Sequence, residues 1–68
     1  MGEPTDDMIV SAIRKLSEDA GYSPTIREVM EAVGMVSTGT MSKKLQRLRD
    51  DGRVTYVDRK ARTLRVTK

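Results

Sequence analysis

The sequence contains no cysteine, no histidine, no tryptophan and no phenylalanine, and only two tyrosines. Without cysteine there is neither a disulfide nor a thiolate metal site. Without histidine the commonest metal ligand and general base is missing. With Tyr22 and Tyr56 as the only rings, the chain lacks the row of aromatics on which single-stranded nucleic acid stacks. No apolar run approaches the roughly 20 residues of a membrane helix. The opening Met1-Gly2-Glu3-Pro4-Thr5 is not the basic start of a signal peptide. A cytoplasmic protein without metal, cofactor, membrane or small-molecule substrate is expected, one that in a bacterium would work at the nucleoid. At 68 residues it is one domain with a modest core and little volume for an active-site cavity.

Acidic residues are scarce in the second half. The net charge of +3 hides a polarity: residues 1–34 carry three cations against seven anions, and residues 35–68 carry ten cations against three. A small domain with one acidic and one basic end has a field that orients a polyanion, although basic side chains also serve solubility alone.

Apolar periodicity resolves three helices. In the first, about residues 5–20, Ile9, Ala12, Ile13, Leu16 and Ala20 form one stripe. Thr5 is its N-cap, Asp6 and Asp7 suit its first turn, and Gly21 is a left-handed C-cap. The second, about 25–33, opens with the capping box Thr25-Ile26-Arg27-Glu28, buries Ile26, Val29, Met30 and Val33, and ends at Gly34. At about eight residues it is too short to persist without packing. The third, about 37–51, has Ser37 as N-cap, Met41, Leu45 and Leu48 as its inner face, and Gly52 as its stop. Only Gly34-Met35-Val36 separates the second and third helices, the tight turn of a helix-turn-helix, with Met35 expected to plug the angle. Met8, Met30, Met35 and Met41 all read as core filler.

After Gly52 the period becomes alternating. Val54, Tyr56, Leu64 and Val66 face inward from a hairpin over about 53–67, with Asp58-Arg59-Lys60-Ala61-Arg62 as a short turn. The fold class is therefore mainly α with a small β-hairpin: a single winged helix-turn-helix domain spanning residues 1–68.

The third helix carries the candidate chemistry. Its start is small and polar, with Ser37, Thr38, Gly39, Thr40 and Ser42, and Lys43, Lys44, Arg47 and Arg49 follow. Small residues let a helix enter a major groove about 12 Å wide, and hydroxyls and lysine can reach base edges. The hydroxyls at the helix start and Lys43 are therefore candidates to read base edges of double-stranded DNA. Thr38, Lys44 and Arg47 on the helix, with Arg59, Lys60 and Arg62 on the wing, are the candidates for the DNA backbone. Solvated surface charge explains the same residues less completely, because the basic helix follows a helix-turn-helix turn.

A second class of function stays open: a protein-interaction module docking through Asp6, Asp7, Glu18 and Asp19 of the acidic first helix, or a domain that self-associates on DNA. Catalysis is not expected. The acid pairs Asp6/Asp7, Glu18/Asp19 and Asp50/Asp51 are sequence neighbours, which on a helix point about 100° apart and do not converge on a substrate.

Gly21-Tyr22-Ser23-Pro24-Thr25-Ile26-Arg27-Glu28-Val29, then Val33-Gly34-Met35, Ser37, Leu45, Leu48 and Gly52-Arg53-Val54, resembles the DNA-binding domain of LexA-type SOS repressors. The resemblance runs from about Thr5 to Val66. It implies a winged helix-turn-helix whose third helix reads an operator, with the family's base-reading positions falling on Ser37, Gly39, Thr40, Ser42 and Lys43, and its basic wing on Lys60 and Arg62. Gly39 offers no side chain, Ser42 and Lys43 match no familiar operator specificity, and Ala61 replaces a wing proline, so no operator sequence is carried over. Such repressors continue into a self-cleaving, dimerising peptidase domain that these residues do not include. Self-cleavage and dimerisation by that route are not expected, and a small repressor of phage or mobile-element type is.

Overall fold

The computed structural model describes residues 4–67. Helix α1 spans Asp6–Ala20, α2 Ile26–Val33 and α3 Thr38–Asp50. Strands β1 (Val54–Thr55) and β2 (Arg65–Val66) pair antiparallel, with Val54 opposite Val66 and Thr55 opposite Arg65. This is the mainly helical winged helix-turn-helix that the periodicity predicts.

The helix ends are set by the expected caps. Thr5 Oγ1 accepts from the Met8 N–H at 3.2 Å. Thr25 Oγ1 accepts from the Glu28 N–H at 3.1 Å while Glu28 Oε1 accepts from the Thr25 N–H at 2.8 Å, completing the capping box. Ser37 Oγ accepts from the Thr40 N–H at 3.3 Å. Gly21 and Gly34 close α1 and α2 at φ 78° and 76°, the left-handed conformation that costs other residues most. Behind Gly34, the Met35 N–H returns to Met30 O at 2.8 Å, which turns the chain sharply into α3.

Ile9, Val10 and Ile13 of α1, Val29 and Met30 of α2, Met41, Leu45 and Leu48 of α3, and Val54 and Leu64 of the wing form the core. Met35 and Tyr56 pack against its edge. α1 lies on α2 and β2, whereas α3 lies on α2 and β1, so the wing closes the open side of the three helices.

Three expectations need correction. Met8 is 51% exposed, not core: it is one residue before Ile9, and the 100° step turns it out of the stripe. The same step on the other side brings in Val10, which the stripe omits and which is buried in the core. Ala20 is exposed, because α1 has run past its partners by its last turn. The hairpin runs over the expected residues, with the Thr67 N–H donating to Arg53 O at 3.0 Å, but its strands are shorter than the alternating pattern implies. Each strand has two residues, and residues 56–64 form a long loop rather than a short turn. The ladder stops because Thr63 Oγ1 takes the Val57 N–H at 2.9 Å, and the Lys60 N–H folds back to Val57 O at 3.2 Å. Arg59 and Arg62 then adopt φ of 65° and 60°, incompatible with a continuing strand.

Candidate nucleic-acid interface

The buried face of α3 (Met41, Leu45, Leu48) leaves Thr38, Gly39, Lys43, Gln46 and Arg47 exposed on the opposite face. Thr40, Ser42 and Lys44 lie at its margins, half-buried. Ser37, at the helix start, is exposed, but its hydroxyl serves as the cap and also donates to Thr40 Oγ1 at 3.1 Å. Ser37 and Thr40 are thus tied to each other. Ser42 sits between two grooves. One, shared with Ile26, Arg27, Met30, Val36 and Thr38, separates α2 from α3. The other, about 570 Å³, runs between α3 and the wing and is lined by Ser42 and Gln46 on one wall and by Arg59 and Lys60 on the other.

Gln46 belongs to the polar face of the third helix but is not among the base-reading or backbone candidates that the sequence suggests. It is exposed, one turn beyond Ser42, and faces the wing groove. The i, i+4 spacing from Ser42 was the available signal. Val36, 95% exposed in the turn immediately before Ser37, was likewise passed over as mere connection.

Gly39 stands apart from the other glycines described. It lies within α3 without a positive φ, and a Cβ built on it would meet nothing within 4 Å. Nothing inside the domain requires glycine there, and glycine in a helix costs up to about 1 kcal/mol relative to alanine. Gly39→Ala is therefore expected to raise the urea midpoint slightly while weakening binding of a ligand that approaches this backbone closely. Denaturation and binding curves on the same protein check both signs.

The charges separate into those spent inside the domain and those that are not. Arg47 Nη2 lies 3.4 Å from Asp6 Oδ1, and Arg53 Nη2 lies 2.6 Å from Asp7 Oδ1. The first turn of α1 thus faces the end of α3 and the start of β1. Arg49 pairs with Asp58 at 3.3 Å and lies 4.2 Å from the Tyr56 ring centroid. Arg62 pairs with Glu28 at 3.1 Å. Lys43, Arg59 and Lys60 are exposed and enter none of these pairs. Exposed ion pairs add little stability, so their effect here is to sort the cations by direction.

The Glu28 carboxyl is displaced from its ordinary behaviour. The Thr25 N–H, and then the Arg62 guanidinium, hold its carboxyl below the usual glutamate range against a partial desolvation. Its contribution to stability is therefore complete above that range and is lost as pH falls through the lowered value.

Among the described residues there is no group of three acidic side chains placed to hold a metal, and no helix long and apolar enough to cross a membrane.

The model of the LexA DNA binding domain matches residues 5–63. The LexA repressor of Limosilactobacillus reuteri is 39% identical over 59 residues, 87% of this chain and 28% of that protein. The transcription regulator LexA of Synechocystis is 38% identical over 60 residues, 88% of this chain and 28% of that protein. The LexA repressor of Staphylococcus epidermidis is 34% identical over 58 residues, 85% of this chain and 28% of that protein. The chain thus spans a little over a quarter of the length of these relatives. With the fold, the basic third helix and the family match in agreement, the chain belongs to the LexA DNA-binding domain family.

Proposed function

We propose that the chain binds double-stranded DNA and acts as a sequence-reading transcriptional repressor, with α3 in the major groove and the wing on the sugar-phosphate backbone or in the adjacent minor groove. The observation that carries this reading is that three of the exposed cations outside the ion pairs above stand on the two elements that wall one groove, with Lys15 on α1 and Arg65 on β2 outside it. Lys43 stands on the outer face of α3, Arg59 and Lys60 stand on the wing, and the groove between these two elements is lined by polar Ser42 and Gln46.

The parts divide by chemistry. Thr38, Gly39 and the α3 backbone allow close approach to base edges, and Lys43 can donate to guanine O6 and N7. Gln46 can donate to and accept from adenine. Lys44, Arg47, Arg59 and Lys60 address phosphates, which position the domain without carrying sequence information. Arg47 does so while also paired with Asp6, since its side chain is 60% exposed.

Alanine substitution separates the two roles. Lys43→Ala is expected to change the preference among single-base operator variants by about 1–3 kcal/mol. Arg59→Ala with Lys60→Ala is expected to weaken every sequence alike and to lower the salt dependence. Fluorescence anisotropy against a panel of duplexes distinguishes them. Identical profiles for the two mutants would overturn the division of roles.

A further inference from the structure

The wing loop is anchored at both ends. On one side, Asp58 meets Arg49, which lies over Tyr56. On the other, Arg62 Nη1 donates to Glu28 Oε1 at 3.1 Å and to Ser23 O at 3.3 Å, and its guanidinium sits 4.7 Å from the Tyr22 ring centroid. Arg59 and Lys60 lie between these anchors. Within the loop, Thr63 Oγ1 takes the Val57 N–H and donates back toward the carbonyls of Val57 and Lys60. Arg59 and Arg62 both sit at positive φ, a conformation that non-glycine residues hold only when surrounding contacts fix it.

Glu28 is common to two structures. The carboxylate that completes the α2 capping box is the one that receives Arg62. The wing is therefore joined to the N-terminus of the first helix of the helix-turn-helix, the element that also orients α3.

We infer that Arg62 is a positioning residue and not a phosphate contact: held by Glu28, Ser23 and Tyr22, it locks the wing so that Arg59 and Lys60 face the groove beside Ser42 and Gln46. The inference rests on the DNA-binding reading above for its purpose, though the lock is a property of the protein without DNA. It reassigns Arg62 from the set of backbone contacts expected from the basic wing. Glu28 and Ser23 O both hold its Nη1, and its guanidinium lies over Tyr22, which fixes the direction of the side chain toward α2.

Glu28→Gln tests this with opposite signs. Glutamine at this position keeps the capping box, which accepts either residue. It removes an anion, and charge alone predicts tighter DNA binding. A lost lock predicts the reverse: affinity for a mixed-sequence duplex falls about five- to tenfold. The slope of log affinity against log salt also becomes shallower by roughly one to two, although no cation has been removed. Arg62→Gln should give the same loss, and the double mutant E28Q/R62Q no more than either alone. Arg62→Lys should not rescue binding, because an ammonium lacks the planar face that lies over Tyr22. In the protein without DNA, the ¹H–¹⁵N heteronuclear NOE of residues 58–62 should drop in E28Q and stay high in the native chain.

Tighter binding by E28Q, wing amides as rigid in E28Q as in the native protein, or full rescue by R62K would each overturn the inference. If the native chain shows no salt-dependent DNA binding, the functional reading fails. A drop in the wing NOE in E28Q would still support the lock, and an unchanged NOE would still refute it.

Discussion

Replacing Leu45 with alanine is expected to leave much of the protein unfolded at room temperature. Leu45 is fully buried at the centre of α3, in a core that joins all three helices to the wing. Truncating a buried leucine typically costs about 2–5 kcal/mol, the upper end applying where the surroundings cannot collapse into the space. Leu45 is held among residues from separate elements, so the upper end applies. A domain of this size has only about 3–10 kcal/mol of stability in total. Circular dichroism at 222 nm with a urea titration reads the effect. A midpoint shift equivalent to less than about 1 kcal/mol would mean that α3 is not seated as described.

The second large effect concerns ionic strength. Contacts from α3 and the wing to about four to six phosphates give a slope of log affinity on log salt near −4 to −5. Raising salt from about 50 to about 200 mM should then weaken binding by roughly two and a half orders of magnitude, from a starting affinity near micromolar for non-cognate DNA. Filter binding or anisotropy over that range reads it directly. A slope near zero would remove the electrostatic basis of the proposed interface, whatever the affinity at one salt concentration.

These expectations draw unequally on sequence and structure. The local signals were legible because each depends on a few adjacent residues. Thr25 and Glu28 specify their own hydrogen bonds, and Gly34 is needed wherever the chain leaves a helix at φ 76°. The family resemblance was legible from the same segment. The wing was not, because its geometry is decided by partners far away in sequence. An alternating apolar pattern continues through Tyr56, but Thr63 caps the Val57 N–H and the strand stops at Thr55.

Arg62 shows the same limit at the candidate site. As a sequence, Arg59-Lys60-Ala61-Arg62 is a run of equivalent cations. Only the fold sets Glu28, 34 positions earlier, against the last of them. Met8 and Val10 are a subtler case. Both flank Ile9 symmetrically, and which one is buried depends on the side from which the other elements cover α1.

The charge polarity of the chain also acquires a physical meaning in the fold. Part of the acidic half is used to hold part of the basic half: Asp6 on Arg47, Asp7 on Arg53 and Glu28 on Arg62. These pairs hold Arg47, Arg53 and Arg62 toward the body of the domain and leave Lys43, Arg59 and Lys60 exposed outside them. An anionic ligand approaching from this side meets Lys43, Arg59 and Lys60 without an acidic partner among their ion pairs.

The central claim is that α3 and the wing together form one DNA-facing surface. The longest dimension of the domain is 31 Å, about nine base-pair steps, so a duplex of about 15 base pairs suffices to occupy it. The most direct test is an amide chemical-shift titration with such a duplex of mixed sequence at low salt. Shifts confined to residues 37–49 and 58–62, fading as salt is added, are the predicted result. Absence of shifts, or shifts centred on α1 and indifferent to salt, would contradict it.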